Sequence, residues 1–134
     1  MSDLPSDQVL LAKQWVLLAE EDLKNAEHTL KLTEDCPLTT VCFHAQQGVE
    51  KYIKALLVFK SIEFPRIHDI GELVQLLPAG VGFPLSAEEQ QRLTDYAVVN
   101  RYPGEWEPLE REEGEEAVVM ARKVRATIRK YLPE

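Results

Sequence analysis

Four polar side chains in one stretch of the chain are spaced so that they could act together. His44, Gln47, Lys51 and Lys54 stand at i, i+3, i+7 and i+10, which places them on one face of a helix. A lysine suits a phosphate as a compact charge, and a glutamine can hydrogen-bond a base or a ribose. Read as a site, the row offers donors to an anion or a nucleotide. Read as ordinary surface, it is a solvated helix face with one Glu50–Lys54 pair at i,i+4.

A second group is Arg101-Tyr102-Pro103-Gly104. Pro103 disfavours helix at Tyr102, so Arg101 stands at a helix end. Its guanidinium can fork onto a phosphate or carboxylate, or bond the last carbonyls of its own helix. Trp106 adds an aromatic surface that could stack a base or cover the bundle. A third group is Arg66-Ile67-His68-Asp69, where His68 beside an acid could move protons or simply bond its neighbour. Seven glutamates between residues 105 and 116 suit the start of a helix, or the docking of a basic partner.

Several chemistries lack their residues. No glycine-rich phosphate loop precedes a helix, and no dinucleotide fingerprint occurs. The Glu-x-x-His pair of di-iron bundles is missing. Cys36 and Cys42 form no Cys-x-x-Cys pair, so neither a structural zinc nor any other metal is expected. The nucleophile elbow Gly-x-Ser-x-Gly is absent. These absences weigh against a self-contained enzyme, and no cofactor is expected.

The elements that must carry these groups read as helices. From Ser6 to Thr33 there is neither Gly nor Pro, and Leu11, Trp15, Leu18, Ala19, Leu23, Ala26 and Leu30 recur in steps of three and four. That is an amphipathic helix with Ser6 as N-cap. Its wet face is Glu20, Glu21, Lys24, Glu27 and Lys31, and Asp22 lies near the apolar stripe, where it either pairs with a basic residue on a facing helix or is simply wet. Glu34–Pro37 breaks the pattern. A second helix follows from Leu38 or Thr39 to Ser61, with a stripe of Val41, Cys42, Ala45, Val49, Tyr52, Ile53, Leu56 and Phe59. Gly48 inside it costs about 1 kcal/mol against Ala and reads either as close approach of another helix or as mere tolerance. The short joint predicts an antiparallel hairpin.

Asp69 caps a short helix over about 70–77. Ser86-x-x-Glu89 is a capping box opening a helix to about Val99, with Leu93, Tyr96 and Ala97 inward. Residues 100–109 read as irregular. A last helix over about 110–132 carries Ala117, Met120, Ala121, Val124, Ile128 and Leu132 inward. No stretch alternates as a strand does. The expected fold is all-α, an up-and-down helical bundle of about five helices, three long and two short, in a single domain over residues 1–134.

Composition agrees with a globular chain: 134 residues, 45% hydrophobic, 28% charged, net charge −8. That charge argues against a chain-wide basic surface for nucleic acid or anionic lipid. No leader pattern and no apolar run of membrane-spanning length is present, and two free cysteines suit a reducing compartment. The cytoplasm is the expected location.

Phe43-His44-Ala45-Gln46-Gln47-Gly48-Val49-Glu50-Lys51-Tyr52-Ile53-Lys54-Ala55-Leu56-Leu57 closely resembles the signature helix of HEPN domains, helical bundles named for nucleotide binding in higher eukaryotes and prokaryotes. The Trp15/Ala19/Asp22-Leu23/Ala26 pattern, His68-Asp69-Ile70 with Leu73, and Tyr96 followed by Asn100-Arg101-Tyr102-Pro103 agree in order and spacing. The resemblance implies a bundle of about five helices, a homodimer, and a minimal nucleotidyltransferase as partner, often in a toxin–antitoxin pair. Some HEPN proteins are metal-independent ribonucleases that use Arg, four to six residues, then His. Here no histidine follows residue 68, so that activity would need an unusual partner such as His44 or His68. The expectation is a non-catalytic HEPN protein that binds an ATP-like nucleotide or a nucleotidyltransferase. Arg101 would contact phosphate, Lys51 and Lys54 would add charge, His44 and Gln47 polar contacts, and Tyr102 and Trp106 base platforms. RNA is the less favoured ligand, and an adaptor without a small ligand is the remaining reading.

Overall fold

A computed structural model describes residues 6–97 and 108–133. Among these there are five helices and no strand: α1 (Asp7–Leu30), α2 (Leu38–Phe59), α3 (Ile70–Gln75), α4 (Ala87–Asp95) and α5 (Arg111–Arg129). The starts follow the expected chemistry. The Ser6 hydroxyl accepts from the Val9 amide and the Asp69 carboxylate from the Glu72 amide. Ser86 and Glu89 close a reciprocal capping box, satisfying amides that a helix leaves without carbonyl partners. The joint between α1 and α2 runs over residues 31–37, longer than expected. Asp35 adopts a left-handed φ of 51° there, and the Cys36 thiol donates to the Thr29 carbonyl.

Pairings across α1 and α2 show the hairpin to be antiparallel: Asp22 meets His44, Glu20 meets Tyr52, and Lys54 lies over the Trp15 ring. Gly48 faces α1 directly. A Cβ there would stand 3.4 Å from the Ala19 carbonyl oxygen and 3.8 Å from the Asp22 Cβ. α5 then packs on α2, and α3 and α4 cover the remaining side of α2. Val41, Cys42, Ala45, Val49, Tyr52, Ile53 and Leu56 are buried as expected. Each large aliphatic side chain among them contributes about 1.5–3 kcal/mol by leaving water.

The apolar stripe of α1 needs correcting. Leu11 and Leu18 are 47% and 46% exposed, while Ala12, Ala19, Leu23 and Ala26 are buried. The apolar arc of α1 is wider than the surface its neighbours cover, and spacing alone does not say which side is covered. No helix among the described residues is long and apolar enough to cross a membrane.

Candidate site at the seam of α1 and α2

Close contact at Gly48 puts Asp22 of α1 between two turns of α2. His44 stands four residues before Gly48 and Lys51 three residues after it, so one carboxylate reaches both. Asp22 Oδ1 lies 2.8 Å from His44 Nδ1, and Lys51 Nζ donates to Oδ2 at 2.5 Å. Asp22 is nearly buried, whereas the side chains of His44 and Lys51 stay partly exposed. A carboxylate on Nδ1 fixes the ring, and no described residue bonds Nε2. The edge of the His44 ring packs against Phe43.

One turn further along, a second carboxylate gathers a second set. Glu50 is buried and accepts from Lys54 Nζ at 2.9 Å, from His68 Nδ1 at 2.8 Å and from Gln46 Nε2 at 3.1 Å. Gln47 donates to Gln46 Oε1 at 2.7 Å. Lys54 is shut in: its side chain is 8% exposed and its ammonium lies 5.7 Å from the ring centroids of both Trp15 and Phe64. A buried ion pair persists only when its remaining valences are filled; the bonds from Gln46 and His68 fill those of Glu50, and the two rings face the ammonium.

Of the residues singled out from the sequence, His44 and Lys51 converge on one carboxylate and Gln47 lies on the same helix beside them. Lys54 belongs to the buried set and does not face solvent with the others. His68 bonds Glu50 rather than Asp69, which instead caps α3. Arg101, Tyr102 and Trp106 lie outside the described residues. Spacing missed the degree to which Asp22 and Glu50 organise the seam. Asp22 does pair with a basic residue on a facing helix, one of the two readings its position offered, but that it takes both His44 and Lys51 was not legible. Cys42 is buried in the core, and burial first of all pushes its thiol up to about 12, so it offers no nucleophile. No cluster of three metal-ligating side chains occurs among the described residues.

A family model described as the HEPN domain matches residues 12–131. A protein of Methanocaldococcus jannaschii, named provisionally as the toxin MJ1304, is 33% identical over 139 residues, covering 92% of this chain and 89% of the relative. The crystal structure of TT1696 from Thermus thermophilus superposes with a TM-score of 0.73 at 29% identity, over 90% of this chain and 98% of that one.

Proposed function

The chain belongs to the HEPN domain family, and on that premise we propose that it is a toxin-type HEPN protein that works with a minimal nucleotidyltransferase and binds a nucleotide at the α1–α2 seam. His44 and Lys51 are the described part of that site and Gln47 flanks them. Lys54 holds the helix face in shape from behind. Arg101 is assigned to the phosphate, and Tyr102 and Trp106 to the base, on the sequence reading alone. The protein acts in the cytoplasm, as a homodimer. The observation that carries the reading is the Asp22 carboxylate, which holds a lysine and a histidine side by side at a partly exposed seam. The toxin part is supported by the relative's provisional name.

Calorimetric titration of ATP, GTP and AMP into the pure protein tests it. Saturable binding is expected, weakened at least about tenfold by Lys51→Ala and by Arg101→Ala, as loss of a charged phosphate contact implies. Wild-type protein that takes up no heat of binding ends the nucleotide reading. Expression of the chain alone that leaves growth unaffected ends the toxin reading.

One observation favours a second reading. A partly exposed histidine held at Nδ1 by a buried carboxylate is the arrangement of a proton carrier, and a ribonuclease needs one at the ribose 2′-hydroxyl. Cleavage of RNA in the presence of a chelator, lost in His44→Ala, would replace the binding reading. RNA left intact at high protein concentration removes the second reading.

A further inference from the structure

The N-terminal half of α1 and the C-terminal end of α5 leave a cleft of about 810 Å³ between them. Ala12, Val16, Leu17, Ala126 and Leu132 give it an apolar lining. Leu17 is 65% exposed, and Leu10, one heptad earlier on the same side of α1, is 48% exposed. Apolar surface that continues from a cleft onto a ridge usually marks an interface.

Among the described residues the charged side chains that line this cleft are Lys13, Arg129 and Lys130, and no acid lines it, in a chain whose net charge is −8. Elsewhere Arg92, Arg122 and Arg125 each sit against a glutamate. Arg129 shares Glu20 with Arg125, while Lys13 and Lys130 meet no acid among the described residues. The surface therefore offers two open ammonium groups beside an apolar trough between two antiparallel helices.

We propose that this cleft docks an acidic amphipathic helix of a partner protein, its leucine-type side chains in the trough and its carboxylates on Lys13 and Lys130. The inference rests on the two-chain reading above and says how the second chain takes hold. Small residues such as Ala12 and Ala126 let a third helix come close, in the helix-in-groove manner. A small ligand would remain wet, because the cleft is open along one side and ligand sites enclose most of their guest. An anionic bilayer is flat and would face a chain of net charge −8. A second copy across a two-fold axis would set this basic patch against the same patch of its partner.

Fluorescence anisotropy on the full chain provides the test. The probe is a labelled helical peptide of about 15–20 residues, with leucines on one face and glutamates flanking them. A control peptide carries lysines in place of the glutamates. Saturable binding of the acidic peptide is expected, at least about tenfold tighter than the control and weakened by added salt. Leu17→Glu, and Lys13→Glu with Lys130→Glu, should each reduce it at least about tenfold. These side chains are exposed, and an unchanged thermal melt confirms that the variants fold. No saturable binding, equal binding of both peptides, or indifference to the variants overturns the proposal. So does preference for vesicles of phosphatidylserine over the peptide, or a dimer that Leu17→Glu converts to monomer by sedimentation. The two-chain reading fails separately, if a co-expressed nucleotidyltransferase does not co-purify. Should that partner co-purify equally with wild type and the cleft variants, the two-chain reading stands and the cleft is wrong.

Discussion

Glu20 concentrates more interactions than any acid on the outer side of α1. Its Oε1 accepts from Arg125 at 2.6 Å, from Arg129 at 2.7 Å and from the Tyr52 hydroxyl, joining α1, α2 and α5 at one atom. Burial raises the Glu20 pKa, but the bonds from Tyr52 and Arg125 and the charges of Arg125 and Arg129 outweigh it, so it ends below its ordinary 4.5. A carboxyl lowered in the folded state contributes stability that is complete above its unfolded pKa and is lost as pH falls through the folded one. Tyr52 moves the other way: burial first, then the bond to Glu20, pushes it up to about 12 from 10. Its contribution is complete below pH 10 and is lost as pH rises towards 12. Glu20→Ala is expected to cost about 1–3 kcal/mol in urea unfolding at neutral pH, since it strips a buried hydroxyl of its acceptor. Glu20→Gln still accepts from Tyr52 and should cost about 1 kcal/mol, what remains of two half-exposed ion pairs. Acid titration of stability should be shallower in Glu20→Gln than in wild type; equal slopes would show that Glu20 does not carry the effect. Helical periodicity put Glu20 on the wet face. The partners that change its role lie 32 and 105 residues away, and spacing says nothing about them.

Among the elements, the α1–α2 seam turns on Gly48. A methyl there would make ordinary contact, 3.4 Å from the Ala19 carbonyl oxygen and 3.7 Å from the Leu23 amide. Gly48→Ala is therefore expected to be neutral or to stabilise by up to about 1 kcal/mol, the helix-propensity gain. Gly48→Leu should cost more than about 2 kcal/mol, because α1 must retreat and carry Asp22 away from His44 and Lys51. Chemical denaturation reads both, and loss of the His44–Asp22 contact should appear as a changed His44 ring shift in NMR. Contact with another helix at this glycine was legible, but whether the contact needs a glycine or merely tolerates one was not, and the room for a methyl fits tolerance. The caps at Ser6, Asp69 and Ser86 were legible because their chemistry is local and complete within one helical turn. The covered side of α1 was not legible, since an arc holding Leu10, Leu11, Leu17 and Leu18 as well as Ala12 and Ala19 is apolar nearly all round. The Glu50–Lys54 pair could be read from the i,i+4 step, but its burial could not. That burial depends on Trp15 and Phe64 closing over Lys54 from other parts of the chain.

At the scale of the molecule, α2 touches every other helix and is buried on nearly all sides over residues 45–57. Amide exchange should therefore be slowest there and set by global unfolding, with α3 and α4 exchanging through smaller openings. Protection in α4 equal to that in α2 would show that the bundle opens only as a whole. The far end is closed by Arg111, which donates to the carbonyls of Leu30, the last residue of α1, and of Leu32 just past it. That contact has a consequence in time. While the chain is being synthesised, the α1–α2 hairpin leaves the ribosome with the side meant for Ala117, Ala121, Val124 and Ile128 still bare. The carbonyls at the end of α1 wait for a side chain about 80 residues downstream. Until α5 arrives, that apolar side stays exposed, the kind of surface through which partly folded chains associate.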